Sequence, residues 1–358
     1  MSPMRALVKQ SPQPHDVILE ERPTPEPAPG QILVRIVAAA GCGSDRSEIT
    51  GTDTGLTPRV LGHEAAGIVA ALGAGVQTNL AVGDRVTMET DAVLCGTCRW
   101  CRTEQYQRCP DRRGIGRGAD GALADYLAMP ARALHRVPDN VSLLAAALTE
   151  PTAVAVHAVL EQSPSLAGEV VIVNGPGAVG QLCAQVARAA GATVVMAGLS
   201  RHEAKFDQAR AAGIRHFVRT DVEDLAASVA TISGGDGAHT VFECSGAPGV
   251  LSSIGPALSK GGRIVLVAFY KTNPEINVME LVQNEFELVG SRGKKASSFR
   301  TALRLMAEGA INTLPVIGTV LPLEEWEQGI EAVGAGEKVV FAIDPEALDA
   351  EALDAEAG

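Results

Sequence analysis

The chain has 358 residues, 46% of them hydrophobic and 20% charged, with a formal net charge of −12. That length suits about two domains rather than one, and the acidic balance argues against a nucleic-acid partner, whose phosphates are neutralised by Lys and Arg. No run of about eighteen apolar residues is present to make a helical membrane span, and no N-terminal apolar stretch resembles a signal peptide, so a cytoplasmic location with reduced thiols is expected.

Residues 1–152 carry short apolar runs, such as Ile32 to Ala40 and Gly67 to Leu72, separated by Gly and Pro, which predicts a compact, β-rich domain. Three chemically capable segments fall in it: Cys42 in A-G-C-G-S-D, His63 and Glu64 in L-G-H-E-A-A-G, and Glu150 in L-T-E-P-T-A-V. A lone cysteine or histidine is more often core than ligand, so these residues become informative only together. Between them, Cys95, Cys98, Cys101 and Cys109 form C-x2-C-x2-C-x7-C in a lobe spanning about residues 90–112. That spacing lets four thiolates surround one tetrahedral Zn²⁺. The alternative, a pair of disulfides, requires an oxidising compartment.

From Gly168 the pattern changes to the strand E-V-V-I-V-N, a glycine turn, a helix from Ala178 to Ala190 and a second strand, T-V-V-M-A. Further buried strands are expected at Thr240 to Glu243 and Arg263 to Phe269. Each is separated from the last by enough chain for a crossover helix, giving a doubly wound parallel sheet over residues 153–296. A helix from about Ser297 to Glu308 and the apolar run Leu314 to Leu321 lack that alternation, so residues 297–358 are expected to return to the first domain. They end in an acidic tail, where Asp344, Glu346, Asp349, Glu351, Asp354 and Glu356 are accompanied by no Lys or Arg. This reads as a short helix or solvated coil without a dedicated partner.

Gly175, Gly177 and Gly180, with Ala178 and Val179 between the last two, make G-x-G-x-x-G between a strand and a helix. In that context it is a dinucleotide fingerprint: a tight turn, a close backbone approach to a pyrophosphate, and close packing of helix on strand. An NAD site would place Asp or Glu at the end of the second strand; this chain has Gly198, followed by Ser200 and Arg201. A guanidinium and a hydroxyl suit a 2′-phosphate, so NADP(H) is expected, with NAD(H) the alternative.

With these motifs in place, the chain resembles the zinc-dependent medium-chain dehydrogenases, in particular the branch of sorbitol (polyol) and threonine dehydrogenases. The resemblance rests on G-C-G-S-D, G-H-E, G-D-R-V at Gly83 to Val86, the four cysteines, E-P at Glu150-Pro151, G-P-G-A-V-G and E-C-S-G at Glu243 to Gly246. It implies a GroES-like catalytic domain joined to a Rossmann domain. It also implies two zinc ions, one structural and one catalytic. The catalytic ion would be held by Cys42 and His63, with Glu150 as third ligand or water-bridged and Glu64 as a carboxylate able to approach the metal. Ser44 matches the position whose hydroxyl starts proton release from the substrate; a plain turn serine is the alternative. Ser47 stands where polyol enzymes commonly carry the next relay group, a histidine, and a serine cannot act as a base near neutral pH.

The expected activity is interconversion of a secondary alcohol and a ketone on a polyol, sugar, cyclitol or similar small polar molecule. The resemblance further implies a homodimer or homotetramer. Two rival classes are an isomerase or epimerase that keeps its nicotinamide bound and a non-catalytic zinc protein.

Overall fold

The structure, a computed structural model, describes residues 3–51, 55–163 and 165–357, with side chains as far as residue 351. The chain divides into two compact units. One comprises Met1–Pro151, Lys294–Ala307 and Ile317–Gly358, the other Thr152–Gly293 and Glu308–Val316.

The first unit is built on the strand Gln31–Ala40, whose sequence QILVRIVAAA is β-branched and apolar and buried almost throughout. It pairs antiparallel with Glu64–Leu72, Tyr126–Pro130 and Val339–Ala342 in a seven-stranded sheet. Ile32, Val34 and Ile36 pack with Val86, Met88, Leu123 and Phe341 in its core. The register decides where the chemistry falls. Ala40 lies opposite Glu64 on one side and opposite Val340 on the other, so the segments running on from these pairs converge at one sheet end.

The C-terminal chain contributes Thr319–Pro322 and Val339–Ala342 to this sheet, while Glu308–Val316 groups with the second unit. The acidic tail is the helix Pro345–Ala357. Glu351 on it accepts a hydrogen bond from the Leu143 amide at 2.8 Å and pairs with Arg85 at 2.7 Å, so the helix is tied to its own unit. Asp354 and Glu356 lie beyond the described side chains. Among the described residues, no helix is long and apolar enough to cross a membrane.

The second unit contains a six-stranded, all-parallel sheet. In spatial order its strands are His216–Arg219, Thr193–Gly198, Val170–Asn174, Ala238–Glu243, Leu258–Leu266 and Glu287–Gly290. Numbered along the chain this is 3-2-1-4-5-6, the doubly wound order of dinucleotide-binding folds. Two details differ from the sequence expectation. The fifth strand stops at Leu266 rather than Phe269, because the Val267 and Ala268 amides turn to bond the Glu243 carbonyl at 2.9 and 3.0 Å. The outer strands His216–Arg219 and Glu287–Gly290 have no long apolar run to announce them, since each is only four residues long with two apolar residues in its middle.

Candidate active site

At the converging sheet end, Cys42 is the N-cap of the helix Gly43–Thr50, and its own amide donates to Asp45 Oδ2 at 3.0 Å. His63 immediately precedes the strand that Glu64 begins. The ligand atoms of Cys42, His63 and Glu64 all lie within 4.8 Å of one another. His63 Nδ1 is 3.1 Å from Asp45 Oδ1, which fixes the ring and leaves Nε2 as the free ligand atom; the Ser44 hydroxyl is 3.4 Å from that nitrogen. Burial alone would raise the Asp45 carboxyl and lower the His63 ring. Their mutual attraction and hydrogen bond reverse both, holding Asp45 below and His63 above its ordinary value.

Glu64 in this group and Glu150 outside it are both buried, and each is paired with a lysine. Glu64 accepts from Lys338 Nζ, which also donates to the Gly41 carbonyl at 3.1 Å. Glu150 is paired with Lys294 and stands outside the group of three, so the carboxylate at hand to Cys42 and His63 is Glu64. Burial pushes the Lys294 ammonium down to about 8 despite the nearby Asp91 carboxylate. Ser47 turns away from this chemistry and donates its hydroxyl to the Gly43 carbonyl at 2.9 Å. The three donor types gathered here, a thiol, an imidazole nitrogen and a carboxylate, match a zinc site with three protein ligands and an open position.

In the lobe, sulfur–sulfur separations are 3.8 Å for Cys95–Cys101, 3.6 Å for Cys98–Cys101 and 3.6 Å for Cys109–Cys95, and all four cysteines are free thiols. The Cys98 amide donates to Cys95 Sγ at 3.3 Å and brings that thiol down to about 6. Cys101, desolvated and sharing hydrogen bonds with the other sulfurs, is pushed up to about 12. Four sulfurs this close, partly ionised, repel one another unless a cation sits among them, which fits a structural Zn²⁺.

The glycine loop leaves the strand Val170–Asn174 and enters the helix Ala178–Ala189. Gly175 has φ +99°, and a Cβ on it would meet Ser245 Cα at 2.8 Å, so no other residue fits there. A Cβ at Gly180 would fall 1.9 Å from the Gly175 carbonyl oxygen, whereas the side of Gly177 is open for a ligand to approach. At the end of the next strand, Gly198 has the Pro176 and Phe206 side chains against it. Ser200 donates through its amide and hydroxyl to Asp221 Oδ1 at 2.8 and 2.9 Å, while Arg201 is exposed. The Ser200 amide, ahead of the opposing effect of burial, holds the Asp221 carboxyl below its usual range.

Sequence reasoning missed Asp45, Lys294, Lys338 and Asp221. Asp45 had a local signal, an acid three residues after the helix-capping Cys42; the others come from distant parts of the chain.

Two family profiles match. One, described as alcohol dehydrogenase GroES-like domain, covers residues 28–139, and the other, zinc-binding dehydrogenase, covers residues 178–308. A sorbitol dehydrogenase of Halalkalibacterium halodurans is 34% identical over 343 residues, covering 96% of this chain and 99% of that protein. A D-arabitol-phosphate dehydrogenase of Enterococcus avium is 33% identical over 347 residues, covering 96% and 98%. Among solved structures, a zinc-binding dehydrogenase of Sinorhizobium meliloti bound to NADP superposes with a TM-score of 0.86 at 29% identity, covering 96% of this chain and 100% of that one. Motifs, fold and relatives agree: the chain belongs to the zinc-dependent medium-chain dehydrogenases, enzymes that interconvert an alcohol and a ketone with a nicotinamide cofactor.

Proposed function

We propose that this enzyme oxidises a secondary hydroxyl, or reduces the matching ketone, on a polyol, sugar, cyclitol or related polar molecule at a Zn²⁺ held by Cys42, His63 and Glu64, with NADP(H) as the preferred cofactor. The observation that carries this reading is the Ser44 hydroxyl standing at the ligand nitrogen of a histidine whose other nitrogen is fixed by buried Asp45. When bound, zinc would acidify the substrate hydroxyl, and the nicotinamide ring would accept a hydride from the carbon that bears it. The chain's own residues do the rest. Asp45 orients His63, Lys338 offsets the charge of Glu64, and Lys294 pairs with Glu150. The Ser44 hydroxyl, being exposed, would relay the proton: it accepts a hydrogen bond from the substrate hydroxyl and gives up its own proton to water as it receives the substrate's.

Since the Ser47 hydroxyl is committed to a backbone carbonyl, proton release is expected to run from Ser44 through water or cofactor ribose. Ser44→Ala should therefore cost about a hundredfold in kcat/KM, the usual scale for a positioned proton-transfer group, and Ser47→Ala only about twofold. Equal losses in steady-state kinetics would contradict this order. The names of the relatives support a polar, hydroxyl-rich substrate, as one is a sorbitol and another an arabitol-phosphate dehydrogenase. A panel of polyols, sugar phosphates, threonine and simple secondary alcohols, followed by nicotinamide absorbance, tests it; turnover confined to simple apolar alcohols would overturn it.

For the cofactor, the missing acid at Gly198 and the exposed Arg201 support NADP; Ser200 does not add to that support, since its amide and hydroxyl are both given to the Asp221 carboxylate. A charge-assisted hydrogen bond contributes roughly 1.5–3 kcal/mol, enough for about a ten- to hundredfold preference. Arg201→Ala should remove it without weakening NAD, and a native kcat/KM ratio favouring NAD sinks the assignment. Gly198→Asp is a poorer probe than the bare sequence suggests. Its Cβ would lie 2.9 Å from Pro176 Cδ and 3.0 Å from Phe206 Cζ, so strain would accompany the new charge.

A homodimer or homotetramer is supported by the exposed apolar side chains of Val278, Met279 and Val282 on the helix Val278–Asn284 and of Leu288 on the outer strand Glu287–Gly290. Light scattering on the purified protein tests it, a monomer being the contrary result.

A further inference from the structure

Glu243 closes the fourth strand of the parallel sheet and is fully buried. A buried carboxylate is costly unless its oxygens are hydrogen-bonded, and this one gathers five uncharged donors. Oε1 accepts from Asn174 Nδ2 at 3.1 Å, from the Ser245 amide at 2.9 Å and from the Ser245 hydroxyl; Oε2 accepts from the Gly246 amide at 3.2 Å and from the Tyr270 hydroxyl at 2.6 Å. The donors come from three places: the end of the strand that carries the glycine loop, the turn after Glu243 itself, and the segment beyond the fifth strand. Burial and this bond both raise the Tyr270 pKa, so its hydroxyl remains a donor.

All three places lie at the carboxyl ends of the strands, where open α/β sheets bind ligands. The strand order allots the two halves of a dinucleotide. The pyrophosphate belongs at the glycine loop of the first strand and the adenosine toward Gly198 of the second. The nicotinamide half then falls on the opposite side, over the ends of the fourth and fifth strands. We infer that Glu243 is a positioning residue: through Tyr270 and Ser245 it locks the segments 244–247 and 268–270 to the glycine loop and so presets the surface that receives the nicotinamide half of the cofactor. Ser245 joins the lock at both ends, since its Cα and amide face Gly175 and its hydroxyl accepts from the Ala247 amide at 3.1 Å. The inference rests on the dinucleotide reading above.

The test separates the two halves of the cofactor. With metal-loaded enzyme, the Kd of NADPH and NADH is measured by fluorescence titration, and that of adenosine 2′,5′-bisphosphate and AMP by calorimetry, for the native protein and for Tyr270→Phe, which removes one hydroxyl and no packing. The better dinucleotide should bind about tenfold more weakly to Tyr270→Phe, the loss of one hydrogen bond to a charged group. The matching adenosine nucleotide should stay within about twofold, because its end of the sheet is untouched. Glu243→Gln, close in size but bringing an amide donor against existing donors, should reproduce that split. Parallel weakening of both ligand types, or no change in either, would overturn the inference while leaving the dinucleotide reading intact. Failure of the native enzyme to bind either dinucleotide would overturn both.

Discussion

Cys42→Ser should lower kcat/KM by more than about a thousandfold, beyond the loss on removing a single oxyanion donor, because it takes away a ligand of the catalytic ion rather than one hydrogen bond. A serine hydroxyl keeps its proton near neutral pH and is a poor zinc ligand, whereas a thiolate is a strong one. The substitution is otherwise mild. Cys42 caps the helix Gly43–Thr50, and serine is a preferred N-cap, so the local fold should survive. Circular dichroism and melting temperature close to the native values, with turnover lost, are the expected combination. Retained turnover would mean that the chemistry lies elsewhere.

Cys98→Ser should show the opposite profile. Cys98 caps the four-residue helix Arg99–Arg102 and accepts from the Cys101 amide at 3.4 Å, a role serine can keep, so the effect isolates the sulfur cage. Structural zinc contributes folding free energy outright. If loss of one thiolate removes only about 3–5 kcal/mol of it, the melting temperature falls by roughly 10 °C for units of this size. Calorimetry should register that fall together with the loss of one metal ion per chain, while the folded fraction keeps most of its turnover. An unchanged melting temperature would remove the structural role.

What the sequence disclosed follows from how local each signal is. The four lobe cysteines and the glycine loop are each assembled from one short stretch, so spacing alone is enough to pose their chemistry. The catalytic group is assembled by strand register. Cys42 and His63 could be suspected only through company and resemblance, and nothing local chooses between Glu64 and Glu150 as the nearer carboxylate. That choice is made by which carboxylate folds to within 4.8 Å of the thiol and imidazole, and the acids' partners are just as remote: Lys338 is 274 residues from Glu64 and Lys294 is 144 residues from Glu150. In sequence both lysines look like solvent-facing residues of polar turns, yet both are buried. Asp221 escaped notice for a related reason, since it reaches Ser200 from the end of an edge strand that itself lacks an apolar run.

Zinc content set against turnover tests the central claim most directly. The enzyme as purified should contain about two zinc ions per chain. Mild chelation should first remove the one exposed to substrate and abolish turnover, and added Zn²⁺ should restore it while the lobe ion stays in place. A single zinc per chain, lost with Cys98→Ser and retained with Cys42→Ser, in an enzyme of undiminished activity would contradict the account.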